Sequence, residues 1–114
     1  MFSNHPDNQK CIDACVECAR ACEHCHDACL HEEEVARMVK CIRLDSDCSA
    51  MCWTAAAFMS RHSCFEQEIC TLCAEICQAC ADECRQHQMD HCQRCADACD
   101  HCAEACRQMV AAHA

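Results

Sequence analysis

Glycine is absent from the 114 residues of this sequence, and proline occurs once, at Pro6. Disulfide-bonded miniproteins and metallothionein-like coils depend on frequent turns, and glycine and proline are among the residues that most often form turns. The scarcity of both residues therefore argues against these two classes of protein.

The sequence also lacks signals for export and for membrane insertion. Its first ten residues, MFSNHPDNQK, do not show the basic region, the apolar region and the small-residue cleavage site of a signal peptide. No stretch is long and apolar enough to span a bilayer. We therefore expect a cytoplasmic protein with no membrane partner, in a compartment that keeps thiols reduced.

Positive charge is scarce as well. The sequence has nine Lys and Arg residues against nineteen Asp and Glu residues, which gives a formal net charge of −10. Proteins that bind nucleic acids present basic patches to the phosphates. We therefore expect no nucleic-acid partner.

Cysteine is the residue present in excess, with 20 copies. In CIDACVECARACEHCHDAC, residues 11–29, successive cysteines are four or three residues apart, and the same steps recur in two later segments. Such steps keep side chains on one face of an α-helix, because the helix repeats every 3.6 residues. These segments are predicted helices with a stripe of thiols, and Cys41, Cys48 and Cys52 form a sparser stripe on another helix.

End signals divide the chain into four helices. Pro6 suits a first helical turn, and the carboxylates of HEEE at 31–34 favour a helix start. Capping-box spacing occurs at residues 63–66 and again at 90–93. The predicted helices cover roughly residues 6–30, 33–60, 64–87 and 91–111. Short connections make neighbouring helices antiparallel, so we predict an all-α, up-down-up-down four-helix bundle with a cysteine-lined core, forming one domain over residues 1–114.

Several uses of cysteine explain this pattern poorly. Cysteine buries less apolar area than leucine, so packing alone does not require it at nearly every inward site. Disulfides need a dihedral that a regular helix rarely offers and a compartment that permits oxidation. Iron–sulfur ligation favours clustered motifs on loops rather than sites spread along helices. Zinc and copper remain as candidates. Zinc prefers closed sites of four ligands, and twenty thiols could supply about five such sites.

Cuprous copper fits the spacing best. Cu(I) accepts two or three soft ligands, so a Cys-x-x-x-Cys pair one helical turn apart can hold one ion. If neighbouring ions share sulfurs, the capacity rises toward about one copper per cysteine, and each +1 ion cancels the charge of one thiolate. We predict storage and buffering of Cu(I), with a zinc or thiol-redox buffer as the alternative. No constellation for covalent or acid–base catalysis appears, so we expect no enzymatic activity.

Three motifs stand out in combination: the stripe CIDACVECARACEHCHDAC, the run CIRLDSDC at 41–48, and the paired stripes CTLCAEICQACADEC and CQRCADACDHCAEAC. Together they resemble the four-helix-bundle copper storage proteins of the cytosolic branch. The resemblance covers nearly the whole chain. It implies storage of many Cu(I) ions inside the bundle, a homotetramer of bundles, and little structural change on filling.

The same resemblance implies which side chains bind the metal. The predicted ligands are Cys11, Cys15, Cys18, Cys22, Cys25, Cys29, Cys41, Cys48, Cys52, Cys64, Cys70, Cys73, Cys77, Cys80, Cys84, Cys92, Cys95, Cys99, Cys102 and Cys106. Asp45 occupies a place where the family has a non-sulfur ligand candidate. Cys64 fits least well, because the stripe of the third helix predicts an inward site at Ser63 or Glu66 instead.

The two ends of the predicted bundle differ in their side chains. Met38, His87 and His91 share one end, since both histidines lie at the turn between the last two helices, and we predict these three as ligands at a copper entrance. The other end is the rival entrance. It gathers Met59, His62, Cys64 and Met109.

Large apolar side chains on the outside of the bundle predict a subunit contact. These residues are Val16, Val39, Trp53, Phe65 and Leu72. Oligomerisation is therefore expected independently of the resemblance, which itself implies a homotetramer. Copper donor or acceptor proteins or small thiols are the other expected partners.

Overall fold

The described part of the chain is an antiparallel bundle of four helices. A computed structural model describes residues 6–113, and the side chains from residue 8 onward. The helices are α1 (Pro6–Leu30), α2 (Val39–Ser60), α3 (Glu66–Arg85) and α4 (Asp90–Ala112), and a short 3₁₀ helix at Val35–Met38 precedes α2. The helices pack in a ring in which α1 contacts α2 and α4, and α3 contacts α2 and α4. The predicted all-α, up-down-up-down bundle with a cysteine-lined core is confirmed.

The second helix begins at Val39, later than the expected start near residue 33. The Arg37 backbone N–H donates to the Glu34 carbonyl at 2.9 Å, and the two side chains form an ion pair at 3.4 Å. These i to i+3 contacts close a 3₁₀ turn. The acidic run therefore lies before a 3₁₀ helix and does not cap α2.

The third helix begins at Glu66 rather than at residue 64. His62 has a left-handed backbone with φ of 54°, which reverses the chain after α2. The Ser63 hydroxyl accepts a hydrogen bond from the Phe65 backbone N–H at 3.1 Å. Because this bond lies within the turn, the helix starts only after it.

Gln93 does not close a capping box with Asp90. Its side-chain amide donates to the backbone carbonyls of His87 at 2.6 Å and Arg85 at 3.2 Å. These carbonyls lie at the carboxyl end of α3, where no helical partner is available. Gln93 therefore joins the end of α3, which is Arg85 rather than residue 87, to the start of α4.

Alanines and methionines complete the buried core. Alanine has a short side chain, so it lets neighbouring helices approach closely. The buried alanines are Ala14, Ala19, Ala55, Ala56, Ala74, Ala81, Ala96 and Ala103. Met38 is fully buried at one end of the bundle, and Met59 and Met109 are fully buried at the other.

Several large apolar side chains remain exposed in the single chain. They are Leu30, Val35, Val39, Trp53, Phe65 and Leu72. Val16, which was also expected on the outside, is half-buried, because it packs against the core along α1. Among the described helices, none combines the length and apolar character that crossing a bilayer would require.

Candidate metal site

Thiols from all four helices fill the axis of the bundle. Every cysteine is a free thiol, and every cysteine except Cys64 is buried. The sulfurs of α1 contact those of α4, as in the 3.5 Å between Cys11 Sγ and Cys106 Sγ. Those of α2 contact α3, with Cys48 Sγ at 3.5 Å from Cys77 Sγ. We call this continuous set of buried sulfurs the thiol column.

Sulfurs one helical turn apart are also close to each other. The Sγ atoms of Cys25 and Cys29 are 3.8 Å apart, and those of Cys48 and Cys52 are 4.0 Å apart. A metal ion bonded to three thiolates at about 2.3 Å would hold its sulfurs about 4 Å from one another. The sulfurs of the thiol column are thus spaced about as a bound soft ion requires.

The thiol column contains several groups of four sulfurs, all lying within 4.8 Å of one another in each group. The groups overlap. They include Cys18, Cys48, Cys52 and Cys77; Cys18, Cys22, Cys48 and Cys99; and Cys22, Cys80, Cys95 and Cys99. Because a sulfur in two groups cannot belong to two separate closed sites, this arrangement favours thiolates that bridge neighbouring ions.

Burial and contacts between thiols shift the pKa values of the cysteines in the thiol column in both directions. Burial raises the pKa of Cys29, and burial and the neighbouring Cys41 raise the pKa of Cys92 to about 12. Hydrogen bonds with Cys18 and other thiols raise the pKa of Cys22 and lower that of Cys48. Protons are therefore shared unevenly along the network, and a bound cation must displace them.

Asp45 is a fully buried carboxyl group inside the thiol column. Its Oδ1 accepts hydrogen bonds from Cys80 at 3.3 Å, Cys95 at 3.4 Å and Cys84 at 3.6 Å. Burial, followed by negative charge on Cys95 and Cys41, raises the pKa of Asp45 to about 9. Asp45 is therefore protonated and neutral at pH 7, which lowers the cost of placing it in the core.

His91 lies at the end of the thiol column where α4 begins. Its Nδ1 is 3.5 Å from Cys92 Sγ, 3.6 Å from Cys25 Sγ and 4.0 Å from Cys29 Sγ. Its Nε2 is 3.0 Å from Glu32 Oε2. The structure thus brings this predicted ligand together with three thiols.

His87 and Met38 lie at the same end but take different positions. His87 Nε2 is 2.8 Å from Glu83 Oε2, and His87 is half-buried. Both His87 and Met38 line a surface depression of about 450 Å³, together with Met89 and the glutamates of HEEE. We call this depression the mouth.

Cys64 is exposed in the turn between α2 and α3, outside the thiol column. Since α3 begins only at Glu66, the turn does not bend Cys64 inward. The exposed position of Cys64 therefore does not match the prediction that it is one of the inward ligands.

Polar side chains tie the helices together at the end opposite the mouth. Asn8 donates to Glu66 Oε1 at 3.4 Å, and its carbonyl oxygen is 3.1 Å from His113 Nε2. Met59 and Met109 are fully buried at this end, whereas His62 is exposed.

Two carboxylates that contact the histidines were not predicted from the sequence. The i to i+4 spacing of Glu83 and His87 is visible in the sequence and could have indicated that pair. Glu32 and His91 are 59 residues apart, so no local signal links them.

The pattern of inward thiols is also that of a known family. The family model for copper storage proteins matches residues 4–111. The chain belongs to the copper storage protein family.

Copper storage proteins of known structure share sequence and fold with this chain. The Cu(I)-bound copper storage protein BsCsp3 of Bacillus subtilis is 48% identical, with a TM-score of 0.88, and the match covers 91% of this chain and 98% of that one. A cytosolic copper storage protein from Streptomyces lividans, carrying five coppers, is 42% identical with a TM-score of 0.90, and 92% of each chain is covered. An uncharacterized cysteine-rich protein of Bacillus subtilis strain 168, YhjQ, is 49% identical over 84 residues, 74% of this chain and 78% of its own.

Proposed function

We propose that this protein stores and buffers Cu(I) in its thiol column. The observation that carries the proposal is the overlap of the four-sulfur groups, in which Cys18, Cys22, Cys48 and Cys99 each belong to more than one group. Shared sulfurs suit an ion that accepts two or three soft ligands and tolerates bridging. The Cu(I)-bound relative, which has nearly the same fold, supports the same choice of metal.

Charge balance also favours a monovalent ion. Each Cu(I) that binds a thiolate cancels one negative charge, so a column with about one copper per buried cysteine is nearly neutral. Zinc carries two charges and prefers four ligands of its own. A zinc or thiol-redox buffer is the alternative, because the sulfur spacing would also accommodate a tetrahedral ion.

Binding exchanges protons for copper without any change of oxidation state. A cysteine S–H bond breaks, a sulfur–copper bond forms, the proton passes to solvent, and the copper remains Cu(I). The buried cysteines are the proposed ligands. Asp45 joins them as an oxygen donor once it loses its proton.

Uptake takes place at the mouth in this proposal. His91 reaches the end of the thiol column, and His87 and Met38 line the approach. Replacing His87 and His91 with alanine should slow copper uptake and leave the capacity almost unchanged.

The wider setting follows from the family and the surface. We infer a cytoplasmic, non-catalytic protein, in line with the cytosolic relative from Streptomyces lividans. The exposed Trp53, Phe65 and Leu72 support assembly of the bundles into a homotetramer. Copper donor or acceptor proteins, or small thiols, deliver and remove the metal.

Titration of the reduced protein without oxygen tests the proposal. Copper binding should saturate near nineteen Cu(I) ions per chain, one for each buried cysteine, whereas zinc should saturate near about five ions. Both are measured as protein-bound metal after removal of excess ion. Saturation by copper at about five ions per chain would support separate closed sites and contradict the proposal.

A further inference from the structure

The imidazole of His91 lies between a carboxylate and the thiol column. Glu32 Oε2 is 3.0 Å from His91 Nε2 on one side of the ring. On the other side, His91 Nδ1 faces the sulfurs of Cys92, Cys25 and Cys29 at 3.5–4.0 Å. The two nitrogens therefore have partners of different chemistry.

Glu32 is held beside the last thiols of α1 by its own backbone. Its N–H donates to the Cys29 carbonyl at 3.2 Å. The side chain of Glu32 then reaches His91, and the ring of His91 reaches back to Cys29. These contacts form a closed circuit across α1 and α4, so the position of the carboxylate is set by the same turn that carries a thiol of the column.

The chemistry of these groups determines which nitrogen can bind a metal. An ionised carboxylate only accepts hydrogen bonds, so the nitrogen that faces Glu32 carries the hydrogen. A neutral imidazole has one hydrogen, which leaves the lone pair on Nδ1, toward the sulfurs. Carboxylates that hold a metal-binding histidine in this way fix both its tautomer and its ring orientation.

We infer that Glu32 is a positioning residue for copper uptake, which presents the Nδ1 lone pair of His91 to an incoming Cu(I) ion at the first thiols of the column. This inference rests on the proposed function. Glu32 lies in the loop after α1, and its carboxylate contacts His91. Glu32 acts through His91 and does not bind copper itself.

The mouth offers a matched control for this role. Glu33 is the next residue, carries the same charge, lines the same depression and is exposed. Removal of either carboxylate changes the charge of the mouth equally. Only removal of Glu32 releases the ring of His91.

The first measurement uses the copper-free protein and compares wild type with Glu32→Ala, Glu32→Gln and Glu33→Ala. Nitrogen NMR of the imidazole rings, with His91→Ala to assign the signals, should show the hydrogen of His91 on Nε2 in wild type and in Glu33→Ala. Glu32→Ala should give a mixture of both tautomers. Glu32→Gln should retain the wild-type tautomer, because its amide oxygen still accepts a hydrogen bond.

The second measurement follows the rate at which the full-length protein takes the first equivalent of copper from a Cu(I)–chelator complex without oxygen. Glu32→Ala should be about 10-fold slower than wild type, in the range of other lost partners of metal-binding histidines. Glu33→Ala should match wild type, and Glu32→Gln should recover most of the rate. Total capacity should be equal in all four proteins.

These measurements distinguish Cu(I) storage itself from the role of Glu32. If wild type fails to load beyond a few ions, the proposed function is wrong. If wild type loads fully and Glu32→Ala loads as fast, or Glu33→Ala slows uptake to the same extent, only the role of Glu32 is overturned. An unchanged His91 tautomer in Glu32→Ala would overturn it as well.

Discussion

Replacing Asp45 with asparagine should make the copper-free protein more stable at neutral and mildly alkaline pH, with little change near about pH 4. Asparagine keeps the shape of the side chain and an oxygen that can accept hydrogen bonds from the thiols of Cys80 and Cys95. It cannot ionise. The difference between the two proteins therefore isolates the cost of ionising a buried carboxyl group in the thiol column.

The magnitude follows from the shift in the pKa of Asp45, from its ordinary 3.8 to about 9 in the folded protein. Burial is the main cause, and charge on Cys95 and Cys41 adds to it. The folded pKa lies above the unfolded one, so the contribution of Asp45 is fully present below about pH 3.8 and is lost as the pH rises toward 9. Within this window the free energy of unfolding of wild type falls by about 1.4 kcal/mol per pH unit. Near pH 7, Asp45→Asn should therefore be more stable than wild type by on the order of 4 kcal/mol.

The assay is urea unfolding of the copper-free, reduced proteins, followed by far-ultraviolet circular dichroism at several pH values from about 4 to 8. Asp47→Asn is the matched control, because Asp47 lies on the same helix but is exposed. Its unfolding free energy should run parallel to that of wild type at every pH. The reasoning fails if Asp45→Asn also runs parallel to wild type, because Asp45 would then ionise in the folded core without penalty.

Three further predictions concern capacity, protons and assembly. Cys48→Ser should lower the copper capacity by about one ion per chain, because Cys48 contacts Cys18, Cys77 and Cys99. Cys64→Ser, at an exposed position, should leave the capacity unchanged. Metal analysis of the loaded proteins tests this, and equal losses in both variants would mean that burial does not select the ligands. Loading in weakly buffered solution should release about one proton per copper, and affinity should fall as the pH falls; constant pH during loading would show that the thiols are already deprotonated. The double variant Trp53→Glu and Leu72→Glu should sediment as a smaller species than wild type, with the exposed Gln108→Glu on α4 as control, and an unchanged sedimentation coefficient would place the subunit contact on another face.

The differences between sequence and structure lie mostly in the connections. The cysteine stripes predicted four helices well, because a repeat of three and four residues is a local property of the chain. The start of α2 at Val39 and of α3 at Glu66 was not predicted, because a 3₁₀ turn and the left-handed His62 depend on how the chain must reverse between packed helices. The spacing of Gln93 suggested a capping box, yet its amide bonds the end of α3.

The amino-acid sequence by itself determined that the helices would turn their thiols inward, since each stripe occupies one helical face. Only the tertiary structure decided which sulfurs meet, such as Cys48 with Cys18 and Cys99, because these contacts depend on the relative height of helices distant in sequence. The same reason explains the pairing of Glu32 with His91. Helical periodicity depends only on the residue spacing within one segment, whereas the axial register between helices is set only when all four helices pack together.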